Sequence, residues 1–208
     1  MILKNHIITD TDRENHKDTI AAMYRVLPMA HHKIGDAIVQ QAYVYDRTIH
    51  ERPAKGTWRV LSAGSYQDTA AELLRYEGHA VYDVDPVINY DLHTFAQLAL
   101  PVYNCIISTS VLEHTGNDEE FVEDCCKLLA PGGIAIFTMD FKDDWSPGQP
   151  VPYTSNRFYR VSDLTDRLVR VLERNGCSLV GETDYSARDR FVWDGINYSF
   201  ATWTFKKG

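Results

Sequence analysis

From Trp58 onward, short unbroken apolar runs alternate with longer stretches in which apolar residues recur at helical spacing, and no other feature of the chain constrains its fold as strongly. The runs are WRVLS (58–62), AVYDV (80–84), VYNCIIS (102–108), IAIFTM (134–139), SLVGETD (178–184) and INYSFATWTF (196–205). Runs this short and this apolar suit strands buried on both faces, and strands that alternate with amphipathic helices form an open, mostly parallel sheet with right-handed crossovers. Three helices are punctuated as expected: TAAELLRYEG stops at Gly78, NDEEFVEDCCKLLAPGG carries Asn117 and Glu120 at capping-box spacing and Pro131-Gly132 after its last turn, and SDLTDRLVRVLERNG runs from Ser162 to Gly176. The connection YSARDRFVWDG has no helical pattern, so the last strand is expected to run antiparallel to its neighbour. Between Asp85 and Val102 there is room only for a short edge strand and a small helix.

Before Trp58 two stretches have a helical pattern, and ERPAKGT breaks it. Residues 11–27 place Ile20, Met23, Tyr24 and Leu27 at helical spacing ahead of Pro28, and residues 31–49 place Ile34, Ala37, Ile38, Gln41, Ala42 and Tyr45 on one face. We therefore expect one α/β domain, with residues 1–56 as a helical cap on a Rossmann-like unit over 57–208. A formal net charge of −8 without a Lys/Arg stripe argues against nucleic acid as the ligand. No apolar run is long enough to cross a bilayer, and the N-terminus is polar within a few residues, which predicts neither membrane nor leader. Cys105, Cys125, Cys126 and Cys177 form no CxxC pair, so no zinc site or disulfide framework is expected, no metal-ligand set is evident, and a cytoplasmic setting is expected.

In an open α/β sheet the ligand sits beyond the carboxyl ends of the strands. Gly64 closes the first strand, and Asp85 ends the next at about the spacing of a carboxylate that grips ribose hydroxyls. The loop between strand and helix, AGSYQDT, is poor in glycine. A dinucleotide needs bare backbone against its pyrophosphate, and Tyr66 stands there instead, so an adenosine-type ligand without phosphate fits better. S-adenosylmethionine is such a ligand, and an aromatic face near its sulfonium is favourable by about 0.5–2 kcal/mol.

The segment IISTSVLEHTGNDEEFVEDCCKLLAPGGIAIFTMDF, with VYDVDP and YDLHTF, resembles the class I S-adenosylmethionine-dependent methyltransferases, and the likeness runs from about Trp58 to Gly181. It is similar to a small methyltransferase-type-11-like subgroup with a GSYxDTA loop. The resemblance implies a three-layer sheet of six to seven strands with an antiparallel last strand. It implies that Ser62, Ala63, Gly64, Ser65, Tyr66 and Asp68 flank the methionine part of the cofactor and that Asp85 and Pro86 hold the ribose. It further implies that Asp91 and Leu92 contact adenine, and that Ser110 and Glu113 line the floor after the third strand. The family's first motif commonly reads VLDxGxG; here Ser62 replaces the acid and Tyr66 the second glycine, which leaves Asp68 or Glu113 to take the amino group, or a low affinity.

The expected reaction is methyl transfer to a small molecule, with a sugar or other polar metabolite methylated on oxygen, by a monomer or homodimer. The alternative is a non-catalytic regulatory module that binds S-adenosylmethionine or a nucleoside. Alignment and desolvation do most of the work in such a displacement, and a base adds roughly 10² to 10⁴ in rate. His114 is the first candidate for that base and Asp140 the second. The segment DDWSPGQPVPYTSNRFYR (143–160) is expected either to fold over the site or to form a surface loop anchored by its aromatics.

Overall fold

A computed structural model describes residues 4–54, 56, 58–98, 102–187 and 191–208. Its elements are β1 (Lys4–His6), α1 (Asp10–Asn15), α2 (Lys17–Val26), a tight turn at Pro28–His32, α3 (Ala37–Glu51), β2 (Arg59–Ala63), α4 (Thr69–Tyr76), β3 (Ala80–Val84), α5 (Leu92–Leu98) and β4 (Tyr103–Thr109). A short turn at Leu112–His114 leads to α6 (Asp118–Leu128) and β5 (Leu129–Phe141). A widened helical turn at Asp163–Arg167 leads to α7 (Leu168–Arg174), followed by β6 (Cys177–Leu179), β7 (Glu182–Asp184), β8 (Phe191–Trp193) and β9 (Ile196–Lys207).

The main sheet has the order β3-β2-β4-β5-β9-β6, with β8 paired to β9. The first four strands are parallel, and β9 runs antiparallel to both β5 and β6. Side chains alternate across a strand, and here both faces are covered. Cys105 and Ile107 of β4, with Ile134 and Ile136 of β5, pack on Ile38, Ala42, Leu73 and Leu74 from α3 and α4. Ile106, Ala135 and Phe137 point the other way, onto Val122, Cys125, Leu168 and Leu172 from α6 and α7. That is the expected three-layer arrangement. Helix α3 lies in one of its layers beside α4. Among the described residues no helix is long and apolar enough to cross a membrane.

Three sequence expectations change in detail. The run 178–184 is two strands: β6 pairs with β9, and after Gly181, at φ 87°, the chain turns so that β7 pairs in parallel with β1. Only a residue without Cβ adopts that left-handed backbone cheaply. Between Asp85 and Val102 the structure has α5 and, among the described residues, no edge strand, so β3 ends the sheet. Strand β5 extends to Phe141, which puts Asp140 inside it, opposite Phe200.

Candidate functional site

A cavity of about 950 Å³ opens over the carboxyl ends of β2, β3 and β4. Strand β2 has β3 on one side and β4 on the other, so this is where the strand order reverses and where open α/β sheets bind ligands. The loop after β2 is held from below. Gly64 and Ser65 donate their N–H groups to the Val84 carbonyl at 2.8 and 3.4 Å, and Gly64 sits at φ 83° against Val111. Asp68 caps α4, its Oδ1 accepting from the N–H groups of Ala70 and Ala71 at 2.9 and 3.1 Å. Its Oδ2 accepts from the Ser62 hydroxyl at 3.0 Å. The acid missing from the strand end thus reappears at the helix cap, bonded to the serine that stands in its place.

Asp85 follows β3 with its carboxylate bridging two backbone turns, Oδ2 accepting from Tyr66 N–H in the loop after β2 at 3.0 Å and Oδ1 from Val87 N–H at 2.8 Å. Each oxygen has a second lone pair, and the residue lines the cavity. Asp91 caps α5 through the Thr94 N–H and hydroxyl, and Asp91, Leu92 and Pro86 form the adjoining wall. At the other end His114 follows β4. Its Nδ1 lies 2.6 Å from the Thr154 carbonyl, which can only accept, so Nδ1 carries the proton and the neutral ring keeps its lone pair on Nε2. The segment carrying Thr154 is fastened to this turn by bonds from Asn156 N–H to the Glu113 carbonyl at 2.8 Å and from Asn156 Nδ2 to the His114 carbonyl at 2.6 Å.

Gly64, Tyr66, Asp68, Asp85, Pro86, Asp91, Leu92, Ser110 and His114 therefore face one cavity. Ser62, Ala63, Ser65, Glu113 and Asp140 lie outside its lining. Glu113 is fully buried, and its carboxylate has no donor among the described residues. Asp140 faces it and accepts from the Ser155 hydroxyl at 3.3 Å. Two carboxylates become a hydrogen-bonded pair only when they share a proton. Burial above all pushes both beyond the ordinary carboxylate range, and for Asp140 the Glu113 charge adds to it.

A carboxyl raised in this way stabilises the fold below its unfolded value of about 4 and loses that contribution as pH rises through the folded value. The lowered carboxyls of Asp118 and Asp163 act in the opposite sense: their stabilisation is present above the ordinary value and is lost as pH falls through the folded one. The melting temperature should therefore peak in mild acid and decline toward about pH 8. Glu113→Gln, which gives Asp140 a donor, should flatten that decline in a thermal-denaturation series. An unchanged slope would show that the pair does not hold the proton.

The sequence reading missed Lys33, Gln40, Gln41, Thr109 and Thr154, all in the lining. Gln41 left a trace, as a polar residue on an otherwise apolar helix face. Among the described residues of the wall carboxylates predominate, with Asp68, Asp85, Asp91, Glu120 and Asp124 against the amine of Lys33 and the imidazoles of His93 and His114. Such a wall repels a pyrophosphate and attracts a cation. A Cβ at Gly64 would lie 2.4 Å from Val111 Cγ2, so the wall comes closest there with bare backbone. The buried Thr109 hydroxyl at the cavity has no partner among the described residues. These features fit a cationic adenosyl compound.

Comparison with known proteins points the same way. Residues 37–182 match the profile of a family described as "Methyltransferase domain". A Mycolicibacterium smegmatis protein, a "Probable S-adenosylmethionine-dependent methyltransferase", is 25% identical over 142 residues, which cover 60% of this chain and 54% of that protein, about half its length. Among solved structures, a Burkholderia thailandensis 1,6-didemethyltoxoflavin N1-methyltransferase with bound 1,6-didemethyltoxoflavin and S-adenosylhomocysteine superposes with a TM-score of 0.56 at 15% identity, covering 95% of this chain and 89% of its own. A Synechocystis magnesium protoporphyrin IX methyltransferase with bound S-adenosylhomocysteine gives 0.53 at 16%, covering 96% and 97%. At such identities these two structures establish a common fold.

Proposed function

Because the chain belongs to this methyltransferase-domain family, we propose that it transfers a methyl group from S-adenosylmethionine to a small polar molecule, on oxygen of a sugar or similar metabolite. The observation that carries the reading is the layout of one cavity: Asp85 and Asp91 at one end, and at the other His114, whose Nε2 has no partner among the described residues. The cofactor, when bound, supplies a methyl already activated by a sulfonium. In this reading Asp85 accepts the ribose hydroxyls on its remaining lone pairs, Asp91 accepts the adenine amine, and the turn at Gly64 carries the backbone past the methionine part. Tyr66, 53% exposed at the cavity edge, offers an aromatic face to the positive charge.

His114 takes the acceptor's proton on Nε2, with the Thr154 carbonyl fixing its tautomer. Ser110, Thr115 and Thr154 supply hydroxyls around it, which suits a polar acceptor. Asp140, outside the lining, has no part in the transfer. Residues 1–56, as a cap, and the 143–160 segment would select the acceptor.

Isothermal calorimetry with S-adenosylhomocysteine tests the cofactor half of this reading, and absence of heat at millimolar ligand would refute it. Asp85→Ala should weaken binding by roughly 10- to 100-fold, since a hydrogen bond to a charged group contributes about 1.5–3 kcal/mol and 1.4 kcal/mol is tenfold. His114→Ala should leave binding within about twofold and lower turnover by roughly 10² to 10⁴. Equal binding losses in the two variants would overturn the division of roles. Cofactor binding without transfer to any hydroxyl acceptor would favour a regulatory module.

A further inference from the structure

The strap formed by residues 154–159 is fastened to the two buried carboxyls behind the cavity wall. Asn156 N–H donates to the Glu113 carbonyl at 2.8 Å and Asn156 Nδ2 to the His114 carbonyl at 2.6 Å. The Ser155 hydroxyl donates to Asp140 Oδ2 at 3.3 Å and Tyr159 N–H to the Asp140 carbonyl at 2.9 Å. These bonds all end on Glu113, His114 or Asp140. Ser155, Phe158 and Tyr159 are themselves buried, so the strap covers the carboxyl pair. Both Glu113 oxygens are without a donor among the described residues. The groups that face the pair are Ser110 and His114 from the turn after β4, Ser155 and Tyr159 from the strap, and Tyr198 from β9. Of these, His114 alone can carry positive charge.

With one proton between them the two carboxyls form a hydrogen-bonded unit of single charge. Without it, two like charges stand together out of water, a state that is relieved only by hydration. The strap is the cover that yields first, because residues 154–158 belong to no helix or sheet ladder whereas Tyr198 lies in a twelve-residue strand. We propose that Glu113 and Asp140 are positioning residues for His114: the proton they share keeps the strap closed, and only the closed strap holds the Thr154 carbonyl against His114 Nδ1. Neither carboxyl takes part in the transfer. The link to catalysis rests on the reading of His114 as the base, and the closing of the strap does not. Burial above all raises both carboxyls, so the closed strap binds their protons more tightly than the open one does. Closure is therefore fullest below the ordinary carboxyl value of about 4 and weakens as pH rises through the raised values, by up to about tenfold per pH unit for each proton held.

Hydrogen exchange and imidazole nitrogen NMR on the full chain, without ligand and from about pH 5 to 8, test this. The Asn156 and Tyr159 amides should be protected at least about tenfold less than those of Ile106 and Ile136 in the sheet, and after correction for the intrinsic rate their protection should fall as pH rises. Over the same range the His114 ring should pass from the Nδ1–H tautomer that Thr154 selects to the Nε2–H form that a free imidazole favours. Glu113→Gln and Asp140→Asn each give the remaining carboxyl an amide donor that pH does not remove. In either variant the strap's dependence should flatten to less than about twofold, and His114 should keep the Nδ1–H form. Strap protection that is independent of pH, that equals that of the sheet, or that keeps its slope in both variants overturns the proposal. So does a wild-type His114 that stays Nδ1–H throughout. The base reading is judged separately: a fully active His114→Ala variant would end it and leave the exchange results to decide the strap.

Discussion

The Gly64→Ala protein is expected to fold but to bind S-adenosylhomocysteine roughly 100-fold more weakly than the wild type. Two independent costs meet at this residue. Its φ of 83° lies in the left-handed region, where a residue with a Cβ is strained by about 1–3 kcal/mol. The added methyl would also lie 2.4 and 2.5 Å from the two γ carbons of Val111. A β-branched side chain has little rotamer freedom with which to retreat, and overpacking of this kind costs about 1–3 kcal/mol. The turn can relieve both only by moving, and Gly64, Tyr66 and Asp85 are joined through it by the bonds from Gly64 N–H to Val84 and from Tyr66 N–H to Asp85. Adding Val111→Ala should restore about tenfold of the affinity, since it removes the two closest contacts and leaves the backbone strain and a tight 3.0 Å approach to the Cβ of residue 111. Wild-type affinity in the single variant, measured by calorimetry, would mean that the turn is not the cofactor's seat.

Asp118→Ala should destabilise the protein by about 2–3 kcal/mol in urea denaturation, the largest loss expected from any exchange on the α6 side of the site. Its carboxylate, 3% exposed, accepts from Arg167 at 2.7 and 3.1 Å and from the Tyr159 hydroxyl at 2.9 Å, and it lies 3.0 Å from Arg157. Breaking a fully buried pair costs about 3–5 kcal/mol. The lower figure applies here because the Arg157 and Arg167 side chains are 25% and 34% exposed, and each keeps other acceptors. Arg157 and Tyr159 belong to the stretch that puts Thr154 behind His114. Turnover at saturating acceptor should therefore fall in this variant even where it remains folded. Unchanged stability would show that the arginines find equal partners elsewhere.

The three-layer sheet was legible because each buried strand is apolar at successive positions, and alternate residues serve opposite faces, as Cys105, Ile106 and Ile107 do. The antiparallel last strand was legible from a connection too polar for a crossover helix. Gly181 was not recognised as a break, because a single glycine within an apolar run reads equally as strand interior. In the cavity, Gly64 and Asp85 were legible from their spacing, which the local backbone fixes, whereas Asp91, Leu92 and Ser110 came from the family resemblance, and Ser62, Ala63 and Ser65 of the first strand and loop lie outside the lining. Gln40 and Gln41 on α3, and Lys33 just before that helix, reach the same cavity from a separate stretch of sequence, and no periodicity records which helix covers which sheet face. Glu113 and Asp140 illustrate the converse. Their positions after β4 and near the end of β5 match a floor and a base, yet both side chains turn into protein, and a one-residue difference in where a strand stops decides the direction.

The pairing of β1 with β7 has a bearing on how the fold is assembled. Asn5 donates to the Val180 carbonyl and accepts from Thr204 N–H, so the segment that leads into α3 is anchored on residues 175 and 199 positions later. Closing so long a loop is slow. On a ribosome, β1 cannot dock until Val180 and Thr204 have emerged, so its pairing follows the synthesis of every strand between them.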